Sequence, residues 1–278
     1  MVGQTCGMTT SRQAYPTDLN DNEKRIIAPL LPKPSRRGRP RKHCWFEILN
    51  AIFYVVRGGG AWRLLPHDLP PWKTVYHYFR GWCKDGTWER LNTVLREAER
   101  VRQGRQPQPS AAILDSQSVK TLEGGEQRGY DAGKKISGRK RHVVVDTLGM
   151  VLLVVVTAGH VQDRDGARLV LQALFERIKK SKYSRWCRLK LIWADGGYRG
   201  QLLDWVRQTL GWTLEIVEKL GDHKGFQVLP KRWIVERTLA WLTRNRRLSK
   251  DYERLTETSE AFVYVAMIRL MLRRLART

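Results

Sequence analysis

The spacing of apolar positions changes once along the chain. From Asn20 to Arg102 they recur every three or four residues, the signature of helices with one buried face. Asn20, with Glu23 three residues later, reads as a capping box, and predicts a helix that runs to about Leu31 and stops before Pro32. A second helical pattern, "CWFEILNAIFYVVR" (44–57), ends at Gly58-Gly59-Gly60. Pro71 opens a third, "PWKTVYHYFRGW", and "TWERLNTVLREAERVR" (87–102) is a fourth. After residue 110 the pattern becomes short β-branched runs: "AAILDSQS", "RHVVVD", "MVLLVVVTAG", "RLKLIWAD" and "WTLEIVEK". A turn at Leu148-Gly149 joins the second and third runs. Helical stretches fall at "GARLVLQALFERIKK", capped by Asp163 or Asp165, at 200–210, and at "KRWIVERTLAWLTRNRR" from about Pro230. The order is β-β-β-α-β-α-β-α. The polar, proline-containing "QGRQPQPS" at 103–110 separates the two regimes. The expected division is a flexible 1–16, a helical unit over 17–102, a linker over 103–110, and an α/β unit with C-terminal helices over 111–278.

Composition narrows the class of protein. With 42% hydrophobic residues, 278 residues can bury a sizeable core. The longest near-continuous apolar run, Met150 to Ala158, is half of the roughly 18 residues that a membrane span needs. The N-terminus lacks a basic segment followed by an apolar one, so no secretory signal is expected. Cys6, Cys44, Cys83 and Cys187 are far apart and form no CxxC pair. They read as free thiols in a reducing compartment. A cytoplasmic, nucleoid-associated protein without membrane contact is the expectation.

Charge changes the picture most. Lys and Arg number 51 against 27 acids, a net +24. An excess that large calls for a polyanionic partner, most simply double-stranded DNA. The basic residues cluster. Arg37, Arg39 and Arg41 flank Gly38 and Pro40, an Arg-Gly-Arg strip of the kind that fits a narrow minor groove; a solvated linker is the alternative. The 72–82 helix offers Lys73, Thr74, His77 and Arg80 to a major groove if the helical unit is a helix-turn-helix; otherwise its aromatic residues simply fill a small core. "KKISGRKRH" adds Lys134, Lys135, Arg139, Lys140 and Arg141 as phosphate contacts.

Three acids stand at element ends. Asp115 closes the apolar part of the first strand, and Asp195 closes the fourth, in "LKLIWADGGYRG". Glu236 lies on the helix after the fifth strand. A carboxylate at the end of a buried strand is costly unless a hydrogen bond, a cation or a metal compensates it. The element order resembles that of the ribonuclease-H-like fold, in which the first and fourth strands are neighbours and this last helix packs beside their ends. Three carboxylates held close call for a hard divalent cation. Glu215 is the strongest rival acid, whereas Asp146 reads as a turn residue.

The stretches "AILDSQSVKT", "RGYDAGKKISGRKRHVVVDTLG", "WADGGYRG" and "RWIVERTLAWLTRNRRLSKDYE" resemble bacterial insertion-sequence transposases of the DDE class, in the insertion-sequence-five group. The N-terminal "LLPKPSRRGRPRK" and "AIFYVVRGGGAWRLLPHDLPPWKTVYHYFRGW" resemble the helical domain preceding the catalytic domain there. The similarity covers about residues 17 to 260. It implies a ribonuclease-H-like domain, with a mixed five-stranded sheet and flanking helices, after a small all-helical DNA-binding domain. It implies Asp115, Asp195 and Glu236 as the catalytic, metal-binding triad, with 79 and 40 residues between successive members. Two Mg²⁺ ions, for which Mn²⁺ can substitute, are implied as cofactors. So are DNA element ends and target DNA as substrates, and at least a homodimer on DNA. Arg232, four positions before Glu236, matches part of a Tyr-Arg-Glu-Lys pattern. The expected Tyr position is Leu229 and the expected Lys position is Thr243, so a basic contact there rests on Arg244. A ribonuclease-H-like nuclease without strand transfer, and a non-catalytic DNA-binding regulator, are the alternatives.

Overall fold

The computed structural model describes residues 12–33, 41–122, 125–180, 188–217 and 231–277. Four helices come first. In α1 (Asp21–Ile27) the capping box is formed: the Asn20 side chain accepts from the Glu23 amide, and Glu23 returns a bond to the Asn20 amide. Helix α2 (Trp45–Gly58) buries nearly every apolar side chain and stops at Gly59. There φ is +79°, a left-handed conformation that glycine adopts without penalty. Helix α3 (Trp72–Lys84) turns Val75, Phe79 and Trp82 inward, the i, i+4, i+7 spacing of one face. Helix α4 (Thr87–Arg102) follows after a two-residue break. Residues 12–16 are not loose, contrary to expectation. Arg12 pairs with Asp18 at 2.7 Å, and the Tyr15 ring packs edge-on against Tyr54.

The α/β region is built on a six-stranded sheet, β2-β3-β1-β5-β6 with β4 on β3. Its strands are β1 (Ala111–Lys120), β2 (Gly129–Asp131), β3 (Ile136–Asp146), β4 (Val151–Ala158), β5 (Leu191–Ala194) and β6 (Thr213–Ile216). The three-residue β2 is the strand beyond the expected five. It is too short to show a period and shares one edge of β3 with β4. β1 is antiparallel to β3 and parallel to β5, so the sheet is mixed. The remaining helices are α5 (Asp163–Lys180), α6 (Gln201–Trp205), α7 (Trp233–Thr243), α8 (Arg246–Ser249) and α9 (Thr256–Leu275). The fold is ribonuclease-H-like, with a helical N-terminal region.

Two apolar layers sandwich the sheet. α5, α6 and the helical turn that continues α6 (Val206–Leu210) cover one face, burying Val170, Leu171, Leu202, Val206 and Leu210. On the other face, α1 to α4, α7 and α9 form one continuous core. α9, one of the helices expected at the C-terminus, is the centre of that layer. Its Phe262 stacks on Phe79 of α3 with centroids 4.7 Å apart, beside Trp62 and Trp88. Burying a side chain of this size contributes on the order of 2–3 kcal/mol.

Three of the basic residues expected to touch DNA do something else. Arg139 and Arg141 are among the largest fully buried side chains. Arg139 pairs with Asp251 at 3.3 Å and donates to the carbonyls of Glu126, Glu253 and Arg254. Arg141 donates to the Leu248 carbonyl at 2.8 Å. Lys140, also buried, pairs with Asp163 at 3.0 Å and Asp131 at 3.3 Å. The two guanidinium groups lock the 248–254 segment onto β3, and the Lys140 ammonium is held by the two carboxylates and the Val161 carbonyl, so none of the three is free to contact phosphate as expected.

Gly166 sits where α5 crosses the sheet, and an added Cβ would lie 2.0 Å from Cε1 of the His142 ring. Gly166→Ala should therefore lower stability by about 1–3 kcal/mol through overpacking, although helix propensity alone favours alanine by about 1 kcal/mol. Thermal unfolding decides the sign, and a gain in stability would contradict this packing.

Candidate metal centre and nucleic-acid interface

The parallel pairing of β1 with β5 runs Ala111↔Leu191 to Ile113↔Trp193. Continued by two residues, the same register sets Asp115 level with Asp195. Asp115 lies midway along β1, opposite Val143 of β3, and Asp195 directly follows the last residue of β5. Asp195 ends its strand by capping a short 3-10 turn (Gly196–Tyr198), its Oδ1 accepting the Gly197 amide at 2.9 Å. Gly196 and Gly197 do not use left-handed backbone, as a tight glycine turn would require; the residue that does is Gly200, at φ +99°. A side chain at Gly197 would still crowd the Asp195 carboxylate, its Cβ 3.1 Å from Oδ1.

Helix α7 packs against β1 and brings Glu236 to the same site. Arg232, one turn earlier, lies between the acids. Its Nη2 is 3.4 Å from Asp195 Oδ2 and 3.5 Å from Glu236 Oε1. Asp115 is pushed up to about 6, first by burial and then by Asp195; the Ser116 amide, Arg232 and Lys134 oppose the shift. Among the described residues no three acid, imidazole or thiol groups already form a metal cage, and Arg232 occupies the centre of the acid pair. The donors are all carboxylate oxygens, and Asp115 is a desolvated carboxylate that a cation would relieve. That chemistry suits a hard divalent ion. The rival Glu215 is otherwise engaged, accepting the Trp193 indole N–H at 3.1 Å.

Sequence reasoning missed the residues behind the triad. Ser116 Oγ donates to Asp163 at 2.8 Å, so Asp163 faces the site as well as opening α5. Tyr198 is buried with its hydroxyl beside Ser116, and its pKa is raised well above the usual value by burial, Asp115 and Asp163. The adjacency of Ser116 to Asp115 and of Tyr198 to the Asp195 turn was the available signal. His142 lies deeper still, wholly buried, with Nε2 3.0 Å from Thr157 Oγ1.

The predicted nucleic-acid contacts are sorted by exposure. On α3, Lys73 and His77 face solvent, with Thr74 half-buried. Arg80 instead bonds Glu257 at 2.6 Å and Thr258 at 2.9 Å, tying α3 to α9. Thus α3 has both an outer polar face and an inner core face. Lys134 and Lys135 are exposed on the β2–β3 turn, and Lys134 Nζ reaches the Ser116 carbonyl at 3.3 Å beside Asp115. Arg244 is exposed just past α7. Arg41 lies back over the Trp45 ring at 3.8 Å. Arg37 and Arg39, and with them the minor-groove strip, lie outside the described residues, as does Leu229.

A ribonuclease-H-like sheet with one acid within β1, a second just past the end of its parallel neighbour β5 and a third on α7 is the frame of a polynucleotide-cleaving or -joining class of protein. Residues 106–271 match the family described as "Transposase DDE domain", and residues 19–92 match "Putative transposase of IS4/5 family". The chain belongs to the DDE transposases of insertion sequences, in the IS4/5 group. A curated relative, "Putative transposase for insertion sequence element IS402" from Burkholderia cepacia, is 29% identical over 126 residues, covering 45% of this chain and 59% of the relative. The match thus spans under two thirds of that protein. No solved structure matches significantly. No helix among the described residues is long and apolar enough to cross a membrane.

The His142 imidazole is driven down to about 4, chiefly by burial, with Lys140 and Lys134 adding to the shift and Asp163 opposing it. The unfolded chain, with an ordinary histidine near pH 6.5, therefore binds a proton that the folded chain refuses. Stability should fall by on the order of 2–3 kcal/mol between about pH 6.5 and 4, over and above other acid effects. Denaturant titrations of wild type and His142→Asn at the two ends of that range test it; an equal loss in both would reject the assignment.

Proposed function

We propose that this chain binds the terminal inverted repeats of an insertion sequence, hydrolyses the DNA at the element ends, and joins the freed 3′-hydroxyl to target DNA. The observation that carries the reading is the level placement of Asp115 and Asp195 on adjacent parallel strands, with Glu236 joined to Asp195 through Arg232. Asp115, Asp195 and Glu236 would hold Mg²⁺, with Mn²⁺ able to substitute. When bound, two such ions supply a polarised water and a counter-charge for the departing oxygen. In the first step an oxygen of water bonds to phosphorus and the bond to the 3′ oxygen breaks. In the second, that 3′ oxygen attacks a target phosphorus and displaces another 3′ oxygen. Both are in-line displacements at one phosphorus position, so one site serves both and no bond to the protein forms.

The chain's own residues position the reactants. Arg232 keeps Asp195 and Glu236 from separating under mutual repulsion. Lys134 and Lys135, on the turn beside Asp115, face the backbone of an approaching strand. Lys73 and His77 on the outer face of α3 read element-end bases, while Arg244 holds phosphate, which fixes register but not sequence. Joining two ends requires at least two copies on DNA.

Purified protein incubated with a labelled element end, a plasmid and Mg²⁺ should transfer the label to the plasmid. Asp195→Ala should reduce joining by about 10³-fold or more. Cutting without joining would indicate a nuclease, and binding with neither a regulator.

A separate expectation concerns Arg232→Gln. Removing the guanidinium from the acid pair should tighten Mn²⁺ binding to DNA-free protein about tenfold, or ~1.4 kcal/mol, by calorimetry. Weaker binding would show that Arg232 gathers the carboxylates more than it competes with the ion.

A further inference from the structure

Away from the carboxylates, a cavity of about 190 Å³ opens where α2, α7 and α9 meet. Its floor is apolar, with Phe53 and Met267. Arg57, Arg244, Arg269 and Arg273 also line it, and among the described residues no acid does. Arg269 is committed elsewhere, paired with Glu23 at 2.6 Å and donating to the Asp18 carbonyl. The other three are exposed. Arg57 donates to the Arg244 carbonyl, and Arg273 to the Pro16 carbonyl at 3.1 Å. Those bonds aim the guanidinium groups without cancelling their charge. Arg273 is held below the ordinary arginine value, by burial first, then by Arg269, Arg57 and Arg277, with Glu23 alone opposing. The buried arginines of β3 rest against carbonyls and acids; this cluster is cationic and faces outward.

Like charges gathered around one cavity are costly until an anion joins them. The planar fork of arginine matches a phosphate's paired oxygens. The cavity is smaller than the roughly 300 Å³ at which small-molecule pockets begin, so it suits a phosphate group and not a whole nucleotide. Its location supplies the register. Arg244 follows Glu236 by eight residues on and just past α7, about 12 Å of helix rise. That distance equals three or four nucleotides of duplex DNA at about 3.4 Å each.

Resting on the transposase reading above, we infer that this cavity seats a non-reacting phosphodiester of the bound DNA, three or four nucleotides from the scissile one. Arg57 from α2 and Arg273 from α9 grip it. The N-terminal helices and the C-terminal helix would thereby share one backbone contact, and that contact sets how far the DNA advances into the site.

The test uses the full chain and a duplex carrying one element end, with affinity measured across a salt series. Arg57→Gln with Arg273→Gln should lower the slope of log affinity against log salt by about one phosphate contact, equally for specific and unrelated duplexes. Arg57→Lys with Arg273→Lys should keep it. Ethylation of the phosphate three or four positions from the cleavage point should weaken binding of wild type and not of the Gln pair. If the Gln pair unfolds, Arg57→Lys with Arg273→Gln is read the same way. Wild-type binding with an unchanged slope and an unchanged ethylation pattern in the Gln variant overturns the inference. If wild type binds no duplex, the transposase reading itself has failed, and the cavity assignment falls with it.

Discussion

Two carboxylates on neighbouring parallel strands repel each other, and the rest of the site is arranged around that repulsion. β1 and β5 must be parallel and in register for Asp115 and Asp195 to stand level. Parallel pairing needs a long crossover, which β3, β4 and α5 supply before the chain returns to β5. Once the acids stand level, something positive must lie near them. Arg232 does so, spanning Asp195 and Glu236 from α7. Asp115, more deeply set, receives less relief and stays raised to about 6. Asp115 is thus a desolvated carboxylate, which a divalent cation would relieve.

The same economy of charge explains the interior of the sheet. Arg139, Lys140 and Arg141 sit on consecutive β3 positions yet all three are buried. Alternation along a strand sends neighbours to opposite faces. Arg139 and Arg141 accordingly reach one side, to carbonyls of the 248–254 segment, and Lys140 the other, to Asp131 and Asp163. Lys140 therefore lies behind the Ser116–Asp163 bond, and this polar layer supports Asp115 from below. Removing one member of such a set would leave a buried charge without its partner, which costs about 3–5 kcal/mol.

α9 joins the two halves of the chain. It is apolar on most of its circumference over 261–268, and a helix of that kind has to be buried all round. It passes between the N-terminal helices and the sheet, so α1 to α4 share a core with the α/β region. The Arg80–Glu257 pair adds a polar tie at the same seam. The exposed outer face of α3 is therefore held at a fixed position relative to Asp115 and Asp195.

Much of this was present in the order of residues. The capping box at Asn20, the stop at Gly59, the span of α4 and the strand runs around Asp115 and Asp195 follow from local propensity and period, which act over a few residues. The family was likewise legible, and Asp115, Asp195 and Glu236 could be named as candidates, because carboxylates that close apolar runs in a fixed element order leave a linear trace. Local pattern could not assign the basic clusters. "GRKRH" looks like a surface in sequence, yet pairing with β1 and β4 and closure by residues 248–254 turn it inward. Nor could it show that Arg232 stands between two acids, that Asp163 and Tyr198 back the site, or that arginines from α2 and α9 meet at one cavity. Those juxtapositions join residues tens to hundreds of positions apart, and only long-range packing brings them within reach.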